Sequence, residues 1–327
     1  MRFSVVMPLF NKAPHVEAAV RSALGQSLAP AEVIVVDDGS TDGSLEIVQS
    51  INDPRLKVLT RSPPGPGGYA ARNLGVDATE AEWVAFLDAD DLWHVDHLTS
   101  LADSISTSGG AVGCAFAGAE LVFAGRRALR PMSRRHLPPR KPLGIRDMLH
   151  AWLDSGHCPL WTSAVAVRRD VLINAGLFPA RARRGGDKDL WLRSMWRTEC
   201  VFSGAVSAEF HQEAINRVSF LTPHSEPPIL AETIAELIPS TPSGLRPLLK
   251  RLSNMEVVGY ARYSAGQGQP VFRRFAKLLY FPAGIPALGQ LAAYATTGLL
   301  VRHLGPRRGK RRQSHKRLRA IRPRPPA

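Results

Sequence analysis

Apolar and polar positions along this chain follow two rhythms, and the first third of the sequence switches repeatedly between them. Strand-length runs rich in β-branched and aromatic residues occur at Phe3–Pro8, Glu32–Val36, Leu56–Thr60 and Trp83–Leu87. Between them the spacing becomes helical. His15–Gln26 places Val16, Ala19, Val20, Ala23 and Leu24 on one face, Ser44–Ser50 predicts a short helix, and Tyr69–Ala78 predicts another. Strands that alternate with helices predict an α/β fold with a doubly wound, mainly parallel sheet. Beyond it, Asp96–Ser106 predicts a helix with Leu98, Leu101 and Ile105 inward, Val112–Phe123 a strand, Ile145–Ser155 a helix and Ala164–Val167 a strand.

The polar residues that end these runs carry the chemistry. Leu87 is followed at once by Asp88-Ala89-Asp90-Asp91. Carboxylates gathered at a strand end are costly unless a cation binds there. Hard oxygen ligands suit Mg²⁺ or Mn²⁺, commonly held by one or two carboxylates together with substrate phosphates. A solvated acidic turn capping the next helix explains Asp-x-Asp alone slightly better. Two further features shift the balance. The second strand also ends in acids, Asp37-Asp38, and the first ends at Pro8-Leu9-Phe10-Asn11. In parallel sheets ligands bind outside the carboxyl ends of strands, so all three can face one crevice. The loop Ser62-Pro63-Pro64-Gly65-Pro66-Gly67-Gly68 then runs into a helix with Arg72 in its first turn. Such a junction can bring backbone N–H groups and a guanidinium to an anion, or simply be a connector with a surface arginine. It matches neither the P-loop nor the dinucleotide-binding glycine pattern.

The segments Val5–Lys12, Val35–Asp42, Ala71–Gly75 and Phe86–Asp91, in this order, resemble the successive signatures of family 2 glycosyltransferases. The resemblance is tight over residues 1–95, looser to about residue 220 and very weak beyond. It implies a GT-A fold, a nucleotide-sugar donor, Mn²⁺ or Mg²⁺, and inversion at the anomeric carbon. Carried over by position, it implies that Pro8 and Phe10 line the base pocket and Asp38 hydrogen-bonds the nucleobase. Arg72 lies near the nucleoside or its phosphate, Asp88 reaches the ribose or the metal, and Asp90 the metal. An ionised carboxylate only accepts hydrogen bonds. Asp38 therefore suits uracil N3–H and repels cytosine N3, which favours a UDP-sugar, although thymine and guanine also present ring N–H donors.

The second half supplies the acceptor side. Between Glu120 and Asp147 there is no acid, and Arg126–Pro142 is basic and broken by prolines. It reads either as a solvated insert or as a lid or acceptor-binding segment drawn to phosphate-bearing lipid or polysaccharide. In Gly185-Gly186-Asp187-Lys188-Asp189-Leu190-Trp191-Leu192-Arg193, the resemblance implies an acidic pair before the helix, but Gly186 replaces its first acid. Asp187, the second, takes the general-base role by resemblance. Its place after two glycines equally suits a helix N-cap, and Asp189 is the next candidate base. His211 falls near a late histidine that binds metal or pyrophosphate in some relatives, with a poor match in spacing. Trp191 and Trp196 read as core, and Trp93 as the better sugar-facing aromatic, or as core too. Asp42, Asp53 and Asp96 read as turn and cap residues.

Composition adds location. Cys114, Cys158 and Cys200 form no metal motif and point to a reducing compartment. The N-terminal apolar run is broken at Pro8 and reads as a strand, not a secretory signal. Of the formal net charge of +14, eleven positive charges lie from Arg302 to Ala327, which holds no acid. Such a tail reads as disordered and attracted to polyanions. No charged residue lies between Lys277 and Arg302. Pro282 and Pro286 interrupt that run, leaving Ala287–Val301, which spans only roughly 22 Å as a helix. Flanking basic residues favour a helix on the cytoplasmic membrane surface over one packed on the domain, with a true span third. They also favour an anionic membrane over nucleic acid as partner. The expected organisation is a donor-binding half over 1–95, an acceptor-binding half over 96–225, a membrane-associated helical region over 226–304 and a basic tail over 305–327. The leading reading is a bacterial, cytoplasmic, peripheral glycosyltransferase acting on a lipid-linked or surface polysaccharide. A nucleotidyltransferase on a similar sheet, and a binding protein with a decayed donor site, are the alternatives.

Overall fold

The computed structural model describes residues 1–109, 112–123, 125–212 and 226–304; the basic tail at 305–327 lies outside them. The strands are β1 (Phe3–Leu9), β2 (Glu32–Asp37), β3 (Leu56–Thr60), β4 (Trp83–Phe86), β5 (Leu92–Trp93), β6 (Val112–Phe123), β7 (Arg126–Leu129), β8 (Pro142–Leu143), β9 (Val165–Arg168) and β10 (Glu199–His211). They form one ten-stranded sheet in the order β3-β2-β1-β4-β9-β6-β10-β5, with β7 on β6 and β8 on β10. β3, β2, β1 and β4 are mutually parallel, as is the pair β6–β10, whereas β9 runs antiparallel to both β4 and β6.

The helices are α1 (Val16–Leu24), α2 (Ser44–Gln49), α3 (Tyr69–Asp77), α4 (His97–Thr107), α5 (Ile145–Ser155), α6 (Arg169–Asn174) and α7 (Gly186–Met195). They are followed by α8 (Ile229–Leu237), α9 (Arg246–Gly266), α10 (Phe272–Ala276) and α11 (Ile285–Leu304). Strand alternation divides the interior into two cores. Val5, Met7, Trp83, Ala85 and Leu87 pack with α1 and α4 on one face. Val6, Val84 and Phe86 pack with Trp152, Leu190 and Trp191 on the other. Strands covered on both faces read as continuous apolar runs, which is why β1, β2 and β4 were visible in the sequence, whereas β3, at the sheet edge, is only partly covered.

Pro8 does not end β1. The Leu87 N–H donates to the Val6 carbonyl, so Val6 faces β4, and Pro8, two residues on, faces the same way. The last β1–β4 pair is Val6 with Phe86, so the proline's missing N–H has no ladder to break there. The basic segment Arg126–Pro142 is also more ordered than a proline-broken loop. Gly125, at φ +72°, makes the turn that folds β7 back on β6. Arg127 then reaches Glu120 at 2.8 Å and Glu209 at 2.6 Å.

The C-terminal helices join the body. Leu230, Ile234, Leu248, Leu249 and Leu252 complete the core beneath α5 and α7. Leu279, Ala287 and Leu291 pack against Val257 and Ala261 of α9. The run predicted to lie on a membrane is therefore packed along α9 by one face, with Ile285 and Phe281 exposed. Among the described residues, no helix is long and apolar enough to cross a membrane.

Candidate active site

β1 lies between β2 and β4 although β2 and β3 intervene in sequence, so the strand order reverses between β1 and β4. A crevice is expected at that switch point. A cavity of about 450 Å³ opens there, and it collects the expected donor-site residues: Pro8, Phe10, Asp38, Arg72, Asp88 and Asp90. Asp187 lines the same cavity from α7.

Each is held by its local structure. Asp38, just past β2, is buried and accepts the Gly65 N–H at 3.0 Å and Arg61 at 2.6 Å. Gly67 and Gly68 take positive φ, and Gly68 precedes α3, so the loop turns sharply beside Pro8 and Arg72. The Arg72 guanidinium is buried beside the stacked rings of Tyr69 and Phe178, 5.8 and 5.6 Å from their centroids, and meets Asp88 at 2.5 Å. Lys12 meets Asp90 at 2.6 Å. Asp91, the third acid, points away from the cavity. It accepts the Ser163 hydroxyl at 2.5 Å and the His211 N–H at 3.2 Å. Burial, with Asp88 and Asp90 nearby, pushes its carboxyl well above the usual range.

The donor set suits a hard divalent ion. Asp88 and Asp90 offer carboxylate oxygens on the cavity wall. A second group, His94, Glu120 and Glu209, has its ligand atoms within 4.8 Å of one another. Arg127 already bridges its two glutamates, and none of the three lines the cavity.

Asp187 is not the helix cap. Gly185 holds the N-cap position of α7 in the left-handed region, with no side-chain cap bond. Asp187 stands half-buried in the first turn, and its charge helps to raise both the buried Tyr69 and Tyr260 hydroxyls. Tyr69 in turn accepts the Gly186 N–H at 3.0 Å, fixing the start of the helix. The fallback base Asp189 is excluded by geometry. It is buried, paired with Arg193 at 2.6 Å, and accepts the Thr233 hydroxyl.

Other expectations change. Trp93 does not face a sugar: it is buried, stacks on His97 at 4.3 Å and donates Nε1–H to the Ser163 carbonyl at 2.6 Å. Trp191 is core, as expected. His211 is not a cavity residue; its Nε2 lies 3.1 Å from Glu209. The aromatics that do line the cavity include Trp161 and Phe210, packed together at 4.6 Å, with the Arg130 guanidinium over Trp161 at 4.6 Å. Sequence reading also missed Glu256, Gly259, Tyr260 and Tyr263 of α9. Their i, i+3, i+4, i+7 spacing was the available signal, a polar and aromatic stripe along one helix face.

The profile of glycosyl transferase family 2 matches residues 4–174, more than half of the chain. The amylovoran biosynthesis glycosyltransferase AmsB of Erwinia amylovora is 30% identical over 195 residues, 59% of this chain and 63% of that protein. The succinoglycan biosynthesis protein ExoO of Rhizobium meliloti is 35% identical over 133 residues, 40% of this chain and 37% of its own length. The match thus spans less than two thirds of either relative. Among solved structures, S. aureus TarS 1–349 in complex with UDP-GlcNAc superposes over 92% of both chains with a TM-score of 0.66 at 19% identity. The mannosyltransferase PcManGT of Pyrobaculum calidifontis, in complex with GDP-Man and Mn²⁺, gives 0.51 at 19% identity over 92% of this chain and 86% of its own. At such identities the likeness is one of fold, and that fold is the GT-A arrangement.

Proposed function

Because the chain belongs to glycosyl transferase family 2, we propose that it moves a sugar from a UDP-sugar to a hydroxyl of a lipid-linked or surface polysaccharide, with inversion. The observation that carries this reading is a single cavity lined both by Pro8, Phe10, Asp38, Arg72, Asp88 and Asp90 and by Asp187. Pro8 and Phe10 give the base an apolar surface. Asp38 presents only acceptors, and so selects a ring N–H. Arg72 and Lys12 bring positive charge to the diphosphate. Asp88 and Asp90 would hold Mn²⁺ or Mg²⁺, which when bound supplies Lewis-acid stabilisation of the leaving diphosphate.

Asp187 takes the proton from the acceptor hydroxyl as that oxygen attacks the anomeric carbon. It belongs to the second half of the fold, whereas the carboxylates at the end of β4 belong to the first. That separation suits a displacement in which the nucleophile arrives opposite the leaving group. Relatives named for amylovoran and succinoglycan biosynthesis support a polysaccharide acceptor. Exposed Phe272, Phe281 and Ile285, close in sequence to Arg273, Arg274 and Lys277, support docking on an anionic membrane at the inner face of the cell.

Calorimetry with UDP, with and without Mn²⁺, tests the donor site. Wild type should bind UDP more tightly with the ion, and Asp90→Ala should lose that gain. Equal UDP–Mn²⁺ affinity in the two proteins overturns the assignment.

A further inference from the structure

The helix α9 lies across the start of α7. Glu256 pairs with Lys188 at 2.8 and 2.9 Å. The Arg184 guanidinium sits 5.6 Å from the centroid of Tyr263, and the Tyr260 hydroxyl is so near Gly185 that a Cβ there would meet it. Residues 256, 260 and 263 share one helix face, and Gly259 falls among them, one turn from both Glu256 and Tyr263. All four line the cavity that holds Asp187.

Gly259 has no local reason to be glycine. It lies inside a helix of 21 residues, where glycine costs roughly 0.5–1 kcal/mol relative to alanine. Its φ is not in the left-handed region, so the backbone does not demand it. Close packing does not explain it either: a Cβ added at Gly259 would meet nothing within 4 Å. Gly298 of α11 makes the contrast, because a Cβ there would lie 3.4 Å from Ala265 Cα, at a helix–helix contact. What Gly259 provides is space, opening into the cavity beside the element that carries Asp187.

We propose that this notch on α9 is the acceptor subsite. It takes the terminal saccharide ring of the acceptor, with the C–H face of the ring available to Tyr263 and a ring oxygen or acidic substituent available to the Arg184 guanidinium. The hydroxyl is thereby delivered to Asp187 from the side of the second half of the fold. This inference rests on the donor assignment above and deepens it: acceptor recognition lies in the C-terminal helical region, where the sequence resemblance is weakest. The helix that bounds the subsite is also the one against which α11 packs.

The test uses the full chain with Gly259→Leu and Gly259→Ala, and Gly266→Leu as control. Gly266 is exposed at the end of the same helix, and an added Cβ there also meets nothing within 4 Å. The readouts are UDP affinity, slow hydrolysis of a panel of UDP-sugars to free UDP, melting temperature, and surface polysaccharide in the source strain after replacement of its own copy. Gly259→Leu should keep UDP affinity, hydrolysis and melting temperature, and lower polysaccharide at least tenfold. Gly259→Ala should fall between it and wild type, and Gly266→Leu should match wild type. Full polysaccharide with Gly259→Leu overturns the subsite. Loss of hydrolysis in that variant overturns it differently, by assigning the notch to the donor sugar. Failure of wild type to bind UDP refutes the donor assignment itself, and a deletion strain with unchanged polysaccharide refutes the polysaccharide acceptor and the subsite with it.

Discussion

Replacing Asp187 by asparagine separates chemistry from structure at the proposed base. The side chain keeps its size and loses only the ability to accept a proton. The structural cost is bounded by what Asp187 does in the fold. The N-cap of α7 is Gly185, and no side-chain cap bond is lost. What remains is the favourable placement of an acid in the first turn, worth about 0.3–1 kcal/mol at an exposed site. The melting temperature should therefore fall by no more than ~4 °C. UDP affinity should be unchanged, because the groups assigned to the donor come from β1, β2, α3 and the end of β4. Loss of a general base slows turnover by about 10²–10⁴-fold, which corresponds to ~3–5 kcal/mol of barrier. The assay is sugar transfer from one donor to one acceptor, with UDP affinity and melting temperature measured on the same preparations. Turnover within a few-fold of wild type would remove Asp187 from the mechanism. With Asp189 already committed to Arg193 and Thr233, it would direct the search to other cavity residues.

Three further outcomes follow from single contacts. Burial, aided by His94, pushes the His97 imidazole down to about 3. Stability from its neutral form is present above the ordinary histidine value of about 6.5 and is lost as pH falls toward 3; His97→Gln should flatten the decline in melting temperature between pH 6.5 and 4, and parallel curves refute this. Tyr69→Phe leaves the buried Gly186 N–H without its acceptor, which should cost about 1–3 kcal/mol; an unchanged melting temperature would show that the contact contributes nothing. Replacing exposed Phe272, Phe281 and Ile285 together by serine should leave the fold intact and weaken binding to phosphatidylglycerol vesicles, leaving the salt-sensitive part due to the basic tail, and undiminished binding sinks the docking surface. This triple variant is a cleaner probe than deleting residues 278–327, since Leu279, Ala287 and Leu291 cover the α9 cluster.

The first half of the sheet was legible because its signals are local. Continuous apolar runs gave the buried strands, and acids placed directly after them could only lie at the carboxyl edge. Asp38, Arg72 and the pair Asp88 and Asp90 come from three segments between residues 38 and 90, yet strand order and the helix entering between strands bring them together. The rest of the cavity wall depends on packing between distant segments. Trp93 and Trp161 look alike in sequence; only the partners of each ring, Ser163 and His97 for one, Arg130 and Phe210 for the other, decide which faces the cavity. The apolar stretch after Lys277 was only partly legible for a related reason. Composition reports that a segment is apolar, and not which face packs on α9, as Leu279, Ala287 and Leu291 do, and which stays exposed with Phe281 and Ile285.

The pairing of Asp88 with Arg72 and of Asp90 with Lys12 bears on how the protein is made. A carboxylate cluster with no counter-charge of its own folds poorly until an ion arrives, so assembly waits on supply. Here two acids are matched by two bases from the same chain, and the third, Asp91, is spared by a carboxyl that resists ionisation. The architecture can therefore form at low free metal. On the metal dependence proposed above, chelation should silence the protein without unfolding it, and restoring the ion should restore activity.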